Sequence, residues 1–200
     1  MDKIKGIVFD WDGVIIDGNY KKLIYECAKQ VKISGKKYWR AHGKFQNEFQ
    51  KGMSESKYLE NISSELEIPK PKVEGFWDKP LKKITRDKPE ILKLIKNLRT
   101  EKYKIGFLSN TSIPDMKFIH RKNYGLFDVQ IFSCVEKTRK PEEKIYKILI
   151  KKMKLQPEEI VFIDNKQEYL DGAKKIGINL VLFKNPAQVK KELRKLGIKL

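Results

Sequence analysis

Asp10 and Asp12 stand one residue apart in Phe9-Asp10-Trp11-Asp12-Gly13-Val14, where the apolar segment from Ile4 to Phe9 runs out. Side chains along a strand alternate between its faces, so the two acids share a side if the strand continues, and Gly13 marks the start of a turn. Two carboxylates are thereby delivered to one strand mouth. Like charges this close are costly unless a cation or strong donors offset them, so the pair calls for a divalent metal. In isolation the same spacing would also suit a polar surface loop.

Three later segments repeat the layout of an apolar run ending in small or polar residues. They are Ile105-Gly106-Phe107-Leu108-Ser109-Asn110-Thr111, then Val129-Gln130-Ile131-Phe132-Ser133 followed by Arg139-Lys140-Pro141, then Ile160-Val161-Phe162-Ile163-Asp164-Asn165. Short apolar runs separated by helix-length amphipathic stretches read as βα units of a parallel sheet, whose ligands sit at the carboxyl ends of the strands. Asp10, Asp12, Ser109, Lys140 and Asp164 then converge. A nucleophile, an acid/base, a hydroxyl, a cation and a metal ligand together make an inventory for phosphoryl transfer.

The elements that must position them follow from periodicity. Between Tyr20 and Trp77 the large apolar residues recur at helical intervals: Leu23, Ile24, Cys27 and Val31; then Trp39, Phe45 and Phe49; then Tyr58, Leu59, Ile62 and Leu66. Pro69 and Pro71 interrupt that pattern. The spacing predicts a helical insertion over residues 18–82, with the remaining core formed by residues 1–17 and 83–200. Asp87 suits an N-cap before a helix over 90–102. Strands are expected over 104–108, 129–133, 160–163 and 178–183, and helices over 115–121, 141–153, 167–176 and from 186 onward. This alternation predicts an α/β fold with a doubly wound parallel sheet.

At this point the chain resembles the haloacid dehalogenase (HAD) superfamily hydrolases that carry a helical cap after the first strand. The resemblance rests on Asp10-Trp11-Asp12-Gly13-Val14, Leu108-Ser109-Asn110-Thr111, Lys140-Pro141 and Phe162-Ile163-Asp164-Asn165, in the family's order. Tyr124-Gly125-Leu126-Phe127-Asp128 and Asp171-Gly172-Ala173 with Gly177 are further phrases met in that family. It implies a Rossmann-like core in which Asp10 attacks phosphorus and forms an aspartyl-phosphate, while Asp12 donates and later accepts a proton. It also implies that Ser109 and Asn110 orient a phosphoryl oxygen, that Lys140 neutralises developing charge, and that Mg2+ is held by Asp10, the Asp12 carbonyl and the Asp164-Asn165 motif. The dehalogenating members do not carry this second acid, so Asp12 excludes that activity.

The expectation is a magnesium-dependent phosphatase acting on a small phosphorylated metabolite, a sugar phosphate as in similar capped members, with the cap reading the leaving group. A nucleotidase is the rival within enzymes. A weakly catalytic nucleic-acid-associated protein is the rival outside them. The last motif departs from the family's usual pair of acids, because Asn165 stands where the second acid would ligate magnesium. Three outcomes stay open: a weaker metal site, a site in which Asp164 or Glu168 takes over, or a binding protein without turnover.

Composition bounds the rest. The 200 residues suffice for one sizeable core and a small accessory module, and no apolar run approaches a membrane span. The start, Met1-Asp2-Lys3, enters a strand without a signal-like stretch, so a cytoplasmic location is expected. Cys27 and Cys134 fall on different modules without metal-ligand spacing, and are expected to be reduced buried thiols. The formal net charge of +18 would attract polyanions, yet it resides mostly in lysines scattered over almost every helix. Compact nucleic-acid sites gather arginine and aromatic residues on one face, so a solvated lysine-rich surface is the expected reading. Trp39, Arg40, His42 and Lys44 form a cluster with phosphate- or sugar-recognition chemistry, but Trp39 reads as cap core and His42 as a polar surface residue. Neither His42 nor His120 is given a catalytic role.

Overall fold

The computed structural model describes residues 4–200. Five parallel strands form its sheet: β1 (Gly6–Phe9), β2 (Lys104–Ser109), β3 (Val129–Phe132), β4 (Ile160–Asp164) and β5 (Asn179–Leu182), in the order β3-β2-β1-β4-β5. Strands that alternate buried side chains to both faces must be covered on both. Ile7 and Phe9 of β1 enter one apolar cluster with Ile105, Phe107, Val161 and Ile163. Val8 enters the other, with Leu108, Ile131, Phe162 and the helix residues Ile145, Tyr146 and Leu149. The chain winds from β1 outward through β2 and β3, then returns to the far side of β1 for β4 and β5. The order therefore reverses beside β1, where an open α/β sheet leaves a crevice at its carboxyl edge.

Four helices occupy the connection from β1 to the core helix before β2: α1 (Tyr20–Gln30), α2 (Gly35–Gln50), α3 (Glu55–Leu66) and α4 (Asp78–Ile84). Local signals start three of them. The side chains of Asn19, Ser34 and Ser54 accept hydrogen bonds from the backbone N–H of Lys22, Lys37 and Lys57. Their apolar stripes meet around Tyr38, Phe49, Tyr58 and Trp77, with Phe49 and Tyr58 stacked at 4.1 Å between ring centroids. The core then continues through α5 (Pro89–Thr100), α6 (Ile113–Lys122), the short α7 (Ser133–Glu136), α8 (Glu143–Met153), α9 (Gln167–Lys174) and α10 (Pro186–Lys195). Pro141, expected to open α8, precedes it, because Glu142 is still extended (φ −61°, ψ 130°) and its carboxylate accepts from the Thr138 hydroxyl at 2.7 Å.

The two chain segments joining the inserted helices to the sheet run side by side. Asp17 N–H donates to the Arg86 carbonyl at 2.8 Å, Lys88 N–H donates to the Ile15 carbonyl at 2.8 Å, and Ile16 pairs antiparallel with Asp87. Lys88 Nζ completes the tie, donating to the carbonyls of Gly13 at 2.9 Å and Ile16 at 2.7 Å. Those carbonyls belong to the turn that follows Asp12. Replacing Lys88 by Met keeps the stem and removes both bonds, so it is expected to cost about 1–3 kcal/mol. Thermal unfolding of that variant checks the value, and an unchanged melting temperature would contradict it.

Candidate active site

Each strand that ends at the reversal point delivers one group. Asp10 follows β1, with its N–H bonded to the Ile163 carbonyl of β4 at 3.0 Å, and the chain then turns tightly. The Trp11 carbonyl accepts from the N–H groups of Val14, Ile15 and Ile16, and Gly13 sits at φ +86°. A Cβ there would be strained and would overlap the Asn165 amide. Ser109 ends β2, Asp164 ends β4, and Lys140 arrives on the connection between β3 and α8.

Lys140 is wholly buried, and its Nζ lies 2.6 Å from Asp164 Oδ2, 2.9 Å from Asp10 Oδ1 and 3.3 Å from the Leu108 carbonyl. Burial pulls its pKa down, but Asp10 and Asp164 outweigh that and hold the ammonium above its ordinary value. The rings of Tyr169 and Phe162 flank it, with centroids at 4.9 and 5.3 Å. Asn110 fixes the backbone beneath: its amide donates to the Lys140 carbonyl at 2.9 Å and accepts from the Lys140 N–H at 2.8 Å. The Asn110 side chain is thus engaged in placing Lys140, and its contribution to binding an anion is indirect.

The carboxylates differ in setting. Asp10 Oδ1 is buried and, though within ion-pair distance of Lys140, receives no aligned hydrogen bond. The Lys140 ammonium beside it favours the ionised carboxylate that a nucleophile or metal ligand needs. Asp12 is pushed up to about 7, first by burial and then by Asp10. Asp164 is pushed up to about 6 by burial, against the pull of Lys140, and its Oδ1 accepts from Lys166 N–H at 2.8 Å. One carboxyl poised to hold a proton near neutrality beside another with open lone pairs is the division of labour that acid/base chemistry requires.

Asp10, Asp12, Ser109, Asn110 and Lys140 line one cavity. Asp164 touches it through Lys140. Asn165 is exposed, lies over Gly13 and lines a neighbouring surface hollow instead, and Glu168 is exposed outside the cavity. Among the described residues, no three His, Cys, Asp or Glu side chains form a ready metal cage. A magnesium ion nevertheless fits, because it keeps several waters and takes one or two carboxylates plus phosphate oxygens. Asp10 Oδ1 and the Asp12 carbonyl supply such hard oxygens.

Several site residues carry no motif in the sequence. Lys166 and Tyr169 line the cavity, as do Asp115 and the cap residues Tyr20 and Gln50. Asp115 accepts from Trp77 Nε1 at 2.7 Å and from the Ser112 hydroxyl at 2.7 Å, tying the segment before α4 to the start of α6. Its N-terminal capping box with Ser112 was a readable signal. His42 corrects the surface expectation: it is completely buried, because the hydroxyls of Tyr58 at 2.7 Å and Tyr20 at 3.0 Å pair its two ring nitrogens. His120, Arg40 and Lys44 are exposed, and Cys27 and Cys134 are free and buried.

The family model for haloacid dehalogenase-like hydrolases matches residues 4–177. The chain belongs to that family. This hydrolase is 22% identical over 190 residues to a phosphorylated carbohydrates phosphatase of Thermotoga maritima, covering 89% of this chain and 84% of that protein. Its fold is similar to that of a predicted HAD-like family hydrolase of Porphyromonas gingivalis, with a TM-score of 0.79 at 21% identity over 99% of this chain and 100% of the other. It is also similar to a HAD family enzyme of Bacteroides thetaiotaomicron in complex with magnesium and inorganic phosphate, with a TM-score of 0.74 at 23% identity over 90% and 94% of the two chains. No helix of the structure is long and apolar enough to cross a membrane.

Two outcomes test these electrostatics. Lys140→Met leaves Asp164 buried without its cation, which should destabilise the hydrolase by about 3–5 kcal/mol; chemical denaturation measures the loss. The second concerns Asp12 in protein stripped of metal. An acid raised from 3.8 to about 7 on folding binds more protons folded than unfolded between those values, so stability falls as pH rises through that window. Asp12→Asn should flatten that decline and raise the melting temperature at pH 7.5 by a few degrees, roughly as 1–2 kcal/mol would. A variant melting no higher than the parent would contradict the raised pKa.

Proposed function

We propose that this hydrolase is a magnesium-dependent phosphatase that releases inorganic phosphate from a small phosphorylated carbohydrate through an aspartyl-phosphate on Asp10. The observation that carries the reading is the buried Asp10 carboxylate with its Oδ1 2.9 Å from the Lys140 ammonium, next to an Asp12 that burial and Asp10 push up to about 7. The phosphatase of Thermotoga maritima, similar along most of both chains, supports the substrate class.

In the first step an Asp10 oxygen forms a bond to phosphorus as the bond from phosphorus to the ester oxygen breaks, and Asp12 gives its proton to the departing alkoxide. In the second, Asp12 takes a proton from water as that water attacks phosphorus, releasing phosphate and restoring the Asp10 carboxylate. Ser109, 2% exposed at the end of β2, is placed to donate to a phosphoryl oxygen. Lys140 offsets the negative charge of acid and phosphoryl group together. Magnesium would be held by Asp10 and the Asp12 carbonyl, with Asp164 close behind and Asn165 a neutral group beside Gly13. When bound, the ion supplies positive charge to the carboxylates and the phosphoryl oxygens. Residues 18–82 would act as the cap, which excludes water and contacts the leaving group.

Phosphate release from a panel of sugar phosphates and nucleotides, with and without magnesium, tests this directly. Release from sugar phosphates that requires magnesium and vanishes in Asp10→Asn is the expected result. Preference for nucleoside monophosphates would make the enzyme a nucleotidase. Magnesium-independent turnover, or an active Asp10→Asn enzyme, would overturn the mechanism. Asn165→Asp adds a charge next to the Asp12–Gly13 backbone and should lower the magnesium concentration giving half-maximal rate. An unshifted dependence would place residue 165 outside the ion's reach.

A further inference from the structure

The cavity has two walls of different chemistry. Asp10, Ser109 and Lys140 come from the strand ends, whereas the facing wall is built by the inserted helices, with Leu23, Leu81 and Ile84 as its apolar part. Two polar side chains in that wall each carry an oxygen with no hydrogen-bond partner among the described residues. Gln50, at the end of α2, is 5% exposed and its Oε1 makes no hydrogen bond; Thr85, just past α4, is 7% exposed and its Oγ1 makes none. An unpaired buried polar atom costs about 1–3 kcal/mol, and folded proteins leave few of them. Both residues line the cavity, Thr85 a second surface hollow as well, and a leaving group seated against this wall would offer the two oxygens partners.

Both are held in place. The Gln50 carbonyl accepts from the Ser133 hydroxyl at 2.6 Å, and its side-chain amide lies beside the Tyr20 hydroxyl. Tyr20 in turn pairs with His42, and His42 with Tyr58. Burial holds the imidazole down to about 4, so the chain from Tyr58 to Gln50 is uncharged at neutral pH. Thr85 is fixed by its N–H, bonded to the Leu81 carbonyl at 2.9 Å, and by its own carbonyl, which accepts from Arg86 at 2.9 Å.

Charge narrows the ligand further. Among the described residues, the cations lining this cavity are Lys140 and Lys166, both on strand-end loops, and the inserted helices contribute none. A second phosphate or a carboxylate on the leaving group would meet apolar side chains and the acids Asp17 and Asp115. Hydroxyl groups would meet Gln50 and Thr85.

Building on the phosphatase reading above, we propose that Gln50 and Thr85 determine specificity by hydrogen bonding to hydroxyls of the leaving group. The substrate is then the monophosphate of an uncharged polyhydroxylated compound. Bisphosphates and phosphorylated acids are poor substrates. The pair contacts the leaving group and leaves the phosphoryl chemistry to the strand ends.

The test compares kcat/KM of the wild type, Gln50→Leu, Thr85→Val and Thr85→Ser. The probes are sorbitol 6-phosphate, glucose 6-phosphate, glucose 1,6-bisphosphate, 6-phosphogluconate and p-nitrophenyl phosphate. The wild type should prefer a hydroxylated monophosphate to the bisphosphate and the acid by about tenfold or more. Gln50→Leu and Thr85→Val should each lower the ratio of hydroxylated to nitrophenyl ester activity by about tenfold or more. Thr85→Ser, which keeps the hydroxyl, should restore it. Equal losses on both ester types, an unchanged ratio, preference for the bisphosphate or hydrolysis confined to the aryl ester would each overturn the assignment while leaving the phosphatase reading intact. Release of phosphate from none of the probes by the wild type would overturn both.

Discussion

The rest of the site depends on one buried ammonium. Lys140 has no access to water, and a charge so placed is tolerable only when opposite charges and acceptors surround it. Asp10 and Asp164 meet that need from two adjacent strands, with the Leu108 carbonyl of a third beneath. The sheet order is therefore part of the electrostatics: only neighbours of β1 can bring their ends within ion-pair distance of one side chain. Lys140 engages Asp10 and Asp164, whereas Asp12 has no ion pair among the described residues, so burial and Asp10 drive its pKa upward against the pull of Lys166 and Lys88.

The inserted helices are joined to this centre through a few specific polar bonds. Ser133, at the end of β3, donates to Gln50 of α2, and Trp77 donates to Asp115 of α6. Ser133 Oγ also accepts from Thr111 N–H at 2.9 Å, next to Asn110, so the loops that place Lys140 are the ones that meet α2. Because these contacts are buried and fully specific in partner, the helices can sit over the strand ends in one orientation. The cavity wall built by the inserted helices inherits its position from the strand ends.

The frame of the candidate site was legible in the sequence because its information is local. Asp10 and Asp12 are two residues apart, Ser109 and Asp164 close apolar runs, and Lys140 precedes Pro141; each signal lies within a few residues. The expected strand and core-helix positions followed for the same reason, with ends displaced by a residue or two, but Lys88 rather than Asp87 stands at the N-cap of α5, without a side-chain cap bond, and the short α7 had no sequence signal. The groups that escaped are those whose environment is made by distant chain. Gln50 meets Ser133 and Trp77 meets Asp115 across 83 and 38 positions. His42 looked like a surface residue because nothing nearby in sequence says that Tyr20 and Tyr58 will satisfy both of its nitrogens. Asn165 shows the converse, since its motif position suggests a ligand while the side chain rests over Gly13, outside the main cavity.

The charge of the molecule and the charge of its site have opposite signs. The chain as a whole carries +18, yet Asp10, Asp12, Asp17 and Asp115 line the cavity against Lys140 and Lys166. The basic exterior favours the approach of phosphorylated anions over distances set by salt screening. At the mouth the field reverses, and a dianionic ester would be repelled by ionised aspartates at close range. A proton on Asp12 removes one of those charges, and a divalent ion at Asp10 would remove more. The raised pKa of Asp12 and the fit for a hard cation at Asp10 are thus two responses to one crowding of acids at the strand ends. The wall facing the strand ends adds no cation to that balance and offers neutral groups such as Gln50 and Thr85 instead.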